Sequence, residues 1–136
     1  LGKYVDKNNI VLYGRSLGSA PSIYAASKKK NIKGLILQSP FLSCVKTVVN
    51  THWRLWFDMF PNEKYIKYVE CPTTIIHGKE DHVVPFYHGE KLSELAKNIH
   101  STLWLEKANH NNIDDMFQED LFEHLNYFLD YLKVYK

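Results

Sequence analysis

The sequence predicts an α/β chain, a mostly parallel sheet of about four strands with helices on both faces. Two observations carry that expectation. Four short, continuous apolar runs have the pattern of strands buried on both sides, and segments of helical period separate them, an alternation that belongs to parallel sheets. No internal repeat, Gly/Ser linker or low-complexity tract divides residues 1–136, so the chain reads as a single domain.

The elements follow in order. Ile10-Val11-Leu12-Tyr13, closed by Gly14, is the first strand. Residues 17–30 place Gly18, Ala20, Ala25 and Ala26 with Ile23 and Tyr24, which predicts a helix packed closely on the sheet. Gly34-Leu35-Ile36-Leu37 is the second strand, broken by Ser39-Pro40, and Thr73-Thr74-Ile75-Ile76 the third, ended by Gly78. Pro85 suits a first helical position, and Leu92, Leu95, Ala96 and Ile99 follow at helical spacing. Thr102-Leu103-Trp104-Leu105 is the fourth strand. Leu121, Leu125, Phe128, Leu129 and Leu132 then mark an amphipathic helix.

Composition excludes several classes of function. Apolar residues make up 45% and aromatics 14%, values of a globular chain rather than a disordered one. A net charge of +2 is too small to argue for nucleic acid, and Lys28, Lys29 and Lys30 read as a solvated helix end. Cys44 and Cys71 lie far apart without a CxxC pattern, which fits a reduced, intracellular chain, cytoplasmic or peripheral to a membrane. The apolar runs fall short of the roughly 18 residues a membrane span needs. The seven histidines show no ligand spacing, so neither a metal nor another cofactor is expected. Leu1 in place of Met points to a piece of a longer protein.

Gly14-Arg15-Ser16-Leu17-Gly18 fits G-x-S-x-G between a predicted strand and a predicted helix. A serine on so sharp a turn takes strained backbone angles, and the expectation is that Gly14 and Gly18 supply room two residues to either side. Its hydroxyl then stands at a helix N-terminus, where backbone N–H groups favour developing negative charge. The Leu17 N–H is the candidate oxyanion donor. With Gly near 7% of residues, and Ser taken as similar, such a pattern arises by accident about 0.04 times in a chain this long.

Asp81 follows the third strand in Gly78-Lys79-Glu80-Asp81, and an acid there faces the same sheet edge as Ser16. Asp81 is preferred to Glu80 because the shorter side chain suits a fixed contact to imidazole. His110 follows the fourth strand, in Asn109-His110-Asn111-Asn112, a stretch that reads as irregular loop. Ser16 as nucleophile, Asp81 as orienting acid and His110 as general base make a complete set for acyl transfer.

These stretches, with Leu37-Gln38-Ser39-Pro40-Phe41 and Leu103-Trp104-Leu105-Glu106, resemble the α/β-hydrolases, whose chain order is also Ser, Asp, His. Within them the chain resembles the α/β-hydrolase-domain-containing protein 17 branch and its yeast and plant relatives, from about Ile10 to the final helix. The resemblance implies the C-terminal half of the α/β-hydrolase fold, with the N-terminal strands and the oxyanion loop among them outside this chain. It also implies serine-hydrolase chemistry on a thioester, removal of palmitate from protein cysteines at membranes. Asn109 stands where that branch has Gly, and asparagine's tolerance of left-handed angles would preserve the loop. Phe41, Leu42, Trp53, Trp56 and Phe57 are candidate linings of an acyl pocket, and the aromatic stretch around the tryptophans is a candidate lipid contact. The partners expected are an acylated small molecule or protein, peripheral membrane, and a second copy of the chain paired along Ile10 to Tyr13. The alternatives are a truncated module kept for binding and a serine peptidase of the oligopeptidase type.

Overall fold

A computed structural model describes residues 9–43 and 61–135. Strand β1 (Ile10–Arg15) runs into a 3-10 turn (Ser16–Gly18) and helix α1 (Ser19–Lys28), followed by β2 (Ile32–Gln38). A one-turn helix α2 (Asn62–Tyr65) and a 3-10 turn (Ile66–Tyr68) precede β3 (Thr73–Gly78). Then come α3 (Tyr87–Leu95), β4 (Ile99–Leu105), the short α4 (Ile113–Met116) and α5 (Gln118–Val134). The strands lie in chain order, β1-β2-β3-β4, and every neighbouring pair is parallel.

Strand alternation sorts the apolar side chains to two faces. Leu35, Leu37 and Ile75 point to one, where Ile23 and Ala26 of α1 and Leu92 of α3 close over them. Ile36 and Ile76 point to the other, beneath Leu121, Phe128 and Leu132 of α5. Phe128 is wholly buried, a side chain whose removal from water is worth roughly 1.5–3 kcal/mol. A polar contact also docks α5, His124 Nε2 lying 2.8 Å from Thr74 Oγ1 on β3. The fold is thus the expected parallel sheet with helices on both faces.

Element limits differ from expectation at three places. Residues 16–18 wind as a 3-10 turn, so α1 starts at Ser19 rather than at position 17. Pro85 stays outside α3, its carbonyl accepting the His88 N–H at 3.0 Å. Ile99, read as the last apolar residue of that helix, instead opens β4. Ala96 turns extended (φ −66°, ψ 129°), Thr73 N–H bonds the Asn98 carbonyl at 2.9 Å, and Ile99 registers with Thr73. No helix of the described residues is long and apolar enough to cross a membrane.

Candidate active site

All the strands end at one edge of the sheet, and the loops leaving β1, β3 and β4 carry Ser16, Asp81 and His110. Ser16 has φ 47°, a left-handed angle that side chains rarely adopt. The turn is braced by the Ser19 hydroxyl, which donates to the Ser16 carbonyl at 2.6 Å. The chain folds back so tightly that a Cβ on Gly14 would lie 2.7 Å from the Gly18 carbonyl oxygen and 2.9 Å from Ser19 Cα. Gly18 does not share that constraint. A Cβ there meets nothing within 4 Å and its φ is −64°, so it is the Gly18 carbonyl, not the missing side chain, that crowds the turn. Leu17 projects outward, 62% exposed, and its N–H opens the turn directly after Ser16.

Asp81 is buried while neighbouring Glu80 is exposed. Its two oxygens have separate tasks. Oδ1 accepts the Val83 N–H at 2.9 Å and the Val84 N–H at 2.7 Å, closing the loop after β3. Oδ2 lies 2.8 Å from His110 Nδ1. His77, fully buried, donates its Nε2 proton to the Val84 carbonyl at 2.8 Å and stands 3.5 Å from Asp81 Oδ2. Burial by itself would raise the Asp81 carboxyl, but the bonds from His77, His110 and the Val84 N–H outweigh it and hold the group down to about 2. Asp81 is therefore an anion, and it draws the His110 proton to Nδ1. His110 Nε2 is left as an acceptor, 3.0 Å from Ser16 Oγ.

The Asp81 and His110 loops touch through backbone. Lys79 N–H bonds the Leu105 carbonyl at 2.9 Å and Glu80 N–H the Ala108 carbonyl at 3.0 Å. A Cβ on Gly78 would sit 2.1 Å from the Ala108 oxygen, so glycine is what permits the approach. Asn109 is not left-handed: among the described non-glycine residues only Ser16 and Ser39 have positive φ. Its Oδ1 accepts the Asn111 N–H at 2.9 Å while its own N–H donates to Asn112 Oδ1 at 2.7 Å. The loop is built from asparagine side chains instead of a glycine conformation.

Of the five candidate pocket residues, the two described ones, Phe41 and Leu42, fall in different clusters. Leu42 packs in the main core beside Ile66 and Ile75. Phe41 packs with Ala20, just past the turn, and Val84 of the Asp81 loop. Trp53, Trp56 and Phe57 lie outside the described residues. Burial pushes the Cys71 thiol up to about 11, so it stays protonated near neutral pH.

Sequence reasoning passed over several residues here. His77 buttresses Asp81, and Ser39, at the end of β2, has φ 47° and a buried hydroxyl. Gln38 is an amide at 0% exposure, and its signal was available as a polar residue closing an apolar strand.

Residues 1–134 match the prolyl oligopeptidase family. Among curated proteins, the α/β-hydrolase domain-containing protein 17C of Xenopus tropicalis is 38% identical over 111 residues, 81% of this chain and 36% of that protein. The α/β-hydrolase domain-containing protein aho-3 of Caenorhabditis elegans is 35% identical over 81% of this chain and 33% of its own length. The chain thus spans about a third of the curated relatives it matches. Among solved structures, the acylaminoacyl peptidase of Pyrococcus horikoshii superposes on 97% of this chain and 25% of its own, with a TM-score of 0.75 at 19% identity, a likeness of fold.

Proposed function

The chain belongs to the prolyl oligopeptidase family, and from that premise we propose that it carries the reactive centre of a serine hydrolase cleaving an acyl ester or thioester. One observation supports this most: His110 bridges Ser16 Oγ at 3.0 Å and Asp81 Oδ2 at 2.8 Å, with the serine held in a left-handed turn. Ser16 Oγ attacks the acyl carbon as its proton passes to His110 Nε2. Asp81 holds the imidazole and balances the charge it gains, and the Leu17 N–H stabilises the oxyanion. Collapse expels the thiol or alcohol, protonated from Nε2. Water, deprotonated by His110, then attacks the acyl-serine and frees the acid, and the proton returns to Ser16.

The resemblance to the protein 17 branch supports a long-chain thioester on a protein cysteine as substrate, met at a membrane surface. A second reading, a peptidase, draws on the family match over residues 1–134. The two differ in leaving group: an amine must be protonated as it departs, whereas a thiolate is a good leaving group unaided. In the complete protein, Ser16→Ala and His110→Ala are expected to lower turnover on the order of 10⁴- to 10⁶-fold. Ser16→Ala should also lose labelling by a fluorophosphonate. Turnover within tenfold of the unsubstituted protein removes the assignment of these residues, whereas no turnover by the unsubstituted complete protein leaves a binding module. A palmitoyl-thioester peptide set beside an unacylated peptide decides between the two chemistries.

A further inference from the structure

The geometry points to Arg15 and Asp114 as positioning residues that hold the His110 loop at its working distance from Ser16. The inference rests on the reading of Ser16, Asp81 and His110 given above. Arg15 precedes Ser16 in the chain. Its Nη2 donates to the His110 carbonyl oxygen at 3.0 Å, and its Nε lies 3.6 Å from Asp114 Oδ2. One rigid guanidinium therefore grips both ends of the segment from His110 to Asp114, the first turn of α4 included.

Asp114 is itself aimed. Its Oδ1 accepts from Gln38 Nε2 at 3.1 Å, and Gln38 Oε1 accepts the Tyr13 hydroxyl. Gln38 pairs with Arg15 in the β1–β2 register, and Tyr13 and Arg15 share a face of β1. An amide has one acceptor end and one donor end. With Tyr13 occupying the oxygen, the NH₂ of this buried amide is fixed toward the carboxylate. Strand register, set by the apolar core, is thus carried through Tyr13, Gln38, Asp114 and Arg15 to the backbone of the proposed base.

The side chains of Arg15 and Asp114 are 43% and 46% exposed. Pairs so accessible to water add little to stability, so the fold does not depend on the clamp. Proton transfer is far more sensitive to placement, a misplacement near 1 Å costing on the order of 10²-fold.

The test uses the complete protein with a p-nitrophenyl ester, a fluorophosphonate and thermal melts. Arg15→Met is expected to lower kcat about 10- to 100-fold, and the labelling rate with it, with KM within about twofold and the melt nearly unmoved. Arg15→Lys recovers part of the loss, since an ammonium reaches one partner but lacks the fork. Asp114→Asn gives a smaller loss, and the double variant is no worse than Arg15→Met alone, as members of one unit are not additive. Full kcat in Arg15→Met and Asp114→Asn, a loss confined to KM, or a loss that tracks unfolding overturns the clamp. Ser16→Ala separates the two levels. If it stays active the site itself is misassigned, whereas if it is dead and Arg15→Met is normal, only the clamp falls.

Discussion

Asp81 shows how much one side chain can be asked to do when its two oxygens are distinct. An amide at this position keeps its oxygen on the Val83 and Val84 N–H groups, since those are donors, and so turns its NH₂ toward His110. The imidazole must then accept at Nδ1 and carry its proton on Nε2, facing Ser16. Asp81→Asn should accordingly leave the loop intact yet cost roughly 10⁴-fold in turnover. The same carboxylate makes stability depend on pH. Its folded value of about 2 lies below the ordinary 3.8, so its contribution is complete above about pH 4 and is lost as pH falls toward 2. The amount is on the order of 2 kcal/mol. Urea unfolding between pH 2 and 5 checks this, the Asn variant giving a shallower slope than the unsubstituted chain. Equal slopes would mean that the bonds to Asp81 do not favour the folded carboxylate.

Among the elements, the turn after β1 separates what a motif encodes from what packing requires. Gly14→Ala is expected to destabilise the chain by about 1–3 kcal/mol, because the new Cβ meets backbone that cannot yield cheaply. Gly18→Ala should be close to neutral, the space there being open. Melts of the two variants measure the contrast, and equal losses would contradict the close approach at Gly14. Both glycines look equivalent in G-x-S-x-G, since spacing says nothing about which Cβ has a neighbour. Ile99 is a similar case. It continues a helical period and equally begins a strand, and the register with Thr73, 26 positions earlier, decides. Ser16, Asp81 and His110 could be picked out locally because each follows a strand end. The Gln38–Asp114 contact spans 76 positions, and Arg15 reaches the His110 carbonyl across 95, so nothing near any of these residues announces the partnership.

For the whole molecule, β1 and β4 are the sheet edges among the described residues. Ile10, Val11 and Leu12 on β1 are only half-buried, so that edge offers both backbone groups and apolar side chains. The isolated 136-residue chain is expected to self-associate there, with light scattering as the check; a stable monomer at high concentration would refute it.

The chain-order sheet also governs when the proposed site can assemble. Each parallel crossover docks a strand on the one laid before it, and Ser16 meets His110, 94 positions away, only after three such closures. A half-folded chain, with two or three strands in place, has a serine but no base beside it. On the proposed function, the Ser16 hydroxyl therefore gains its base only when the fold is complete, and a nascent or unfolding chain is expected to be silent toward acyl groups around it.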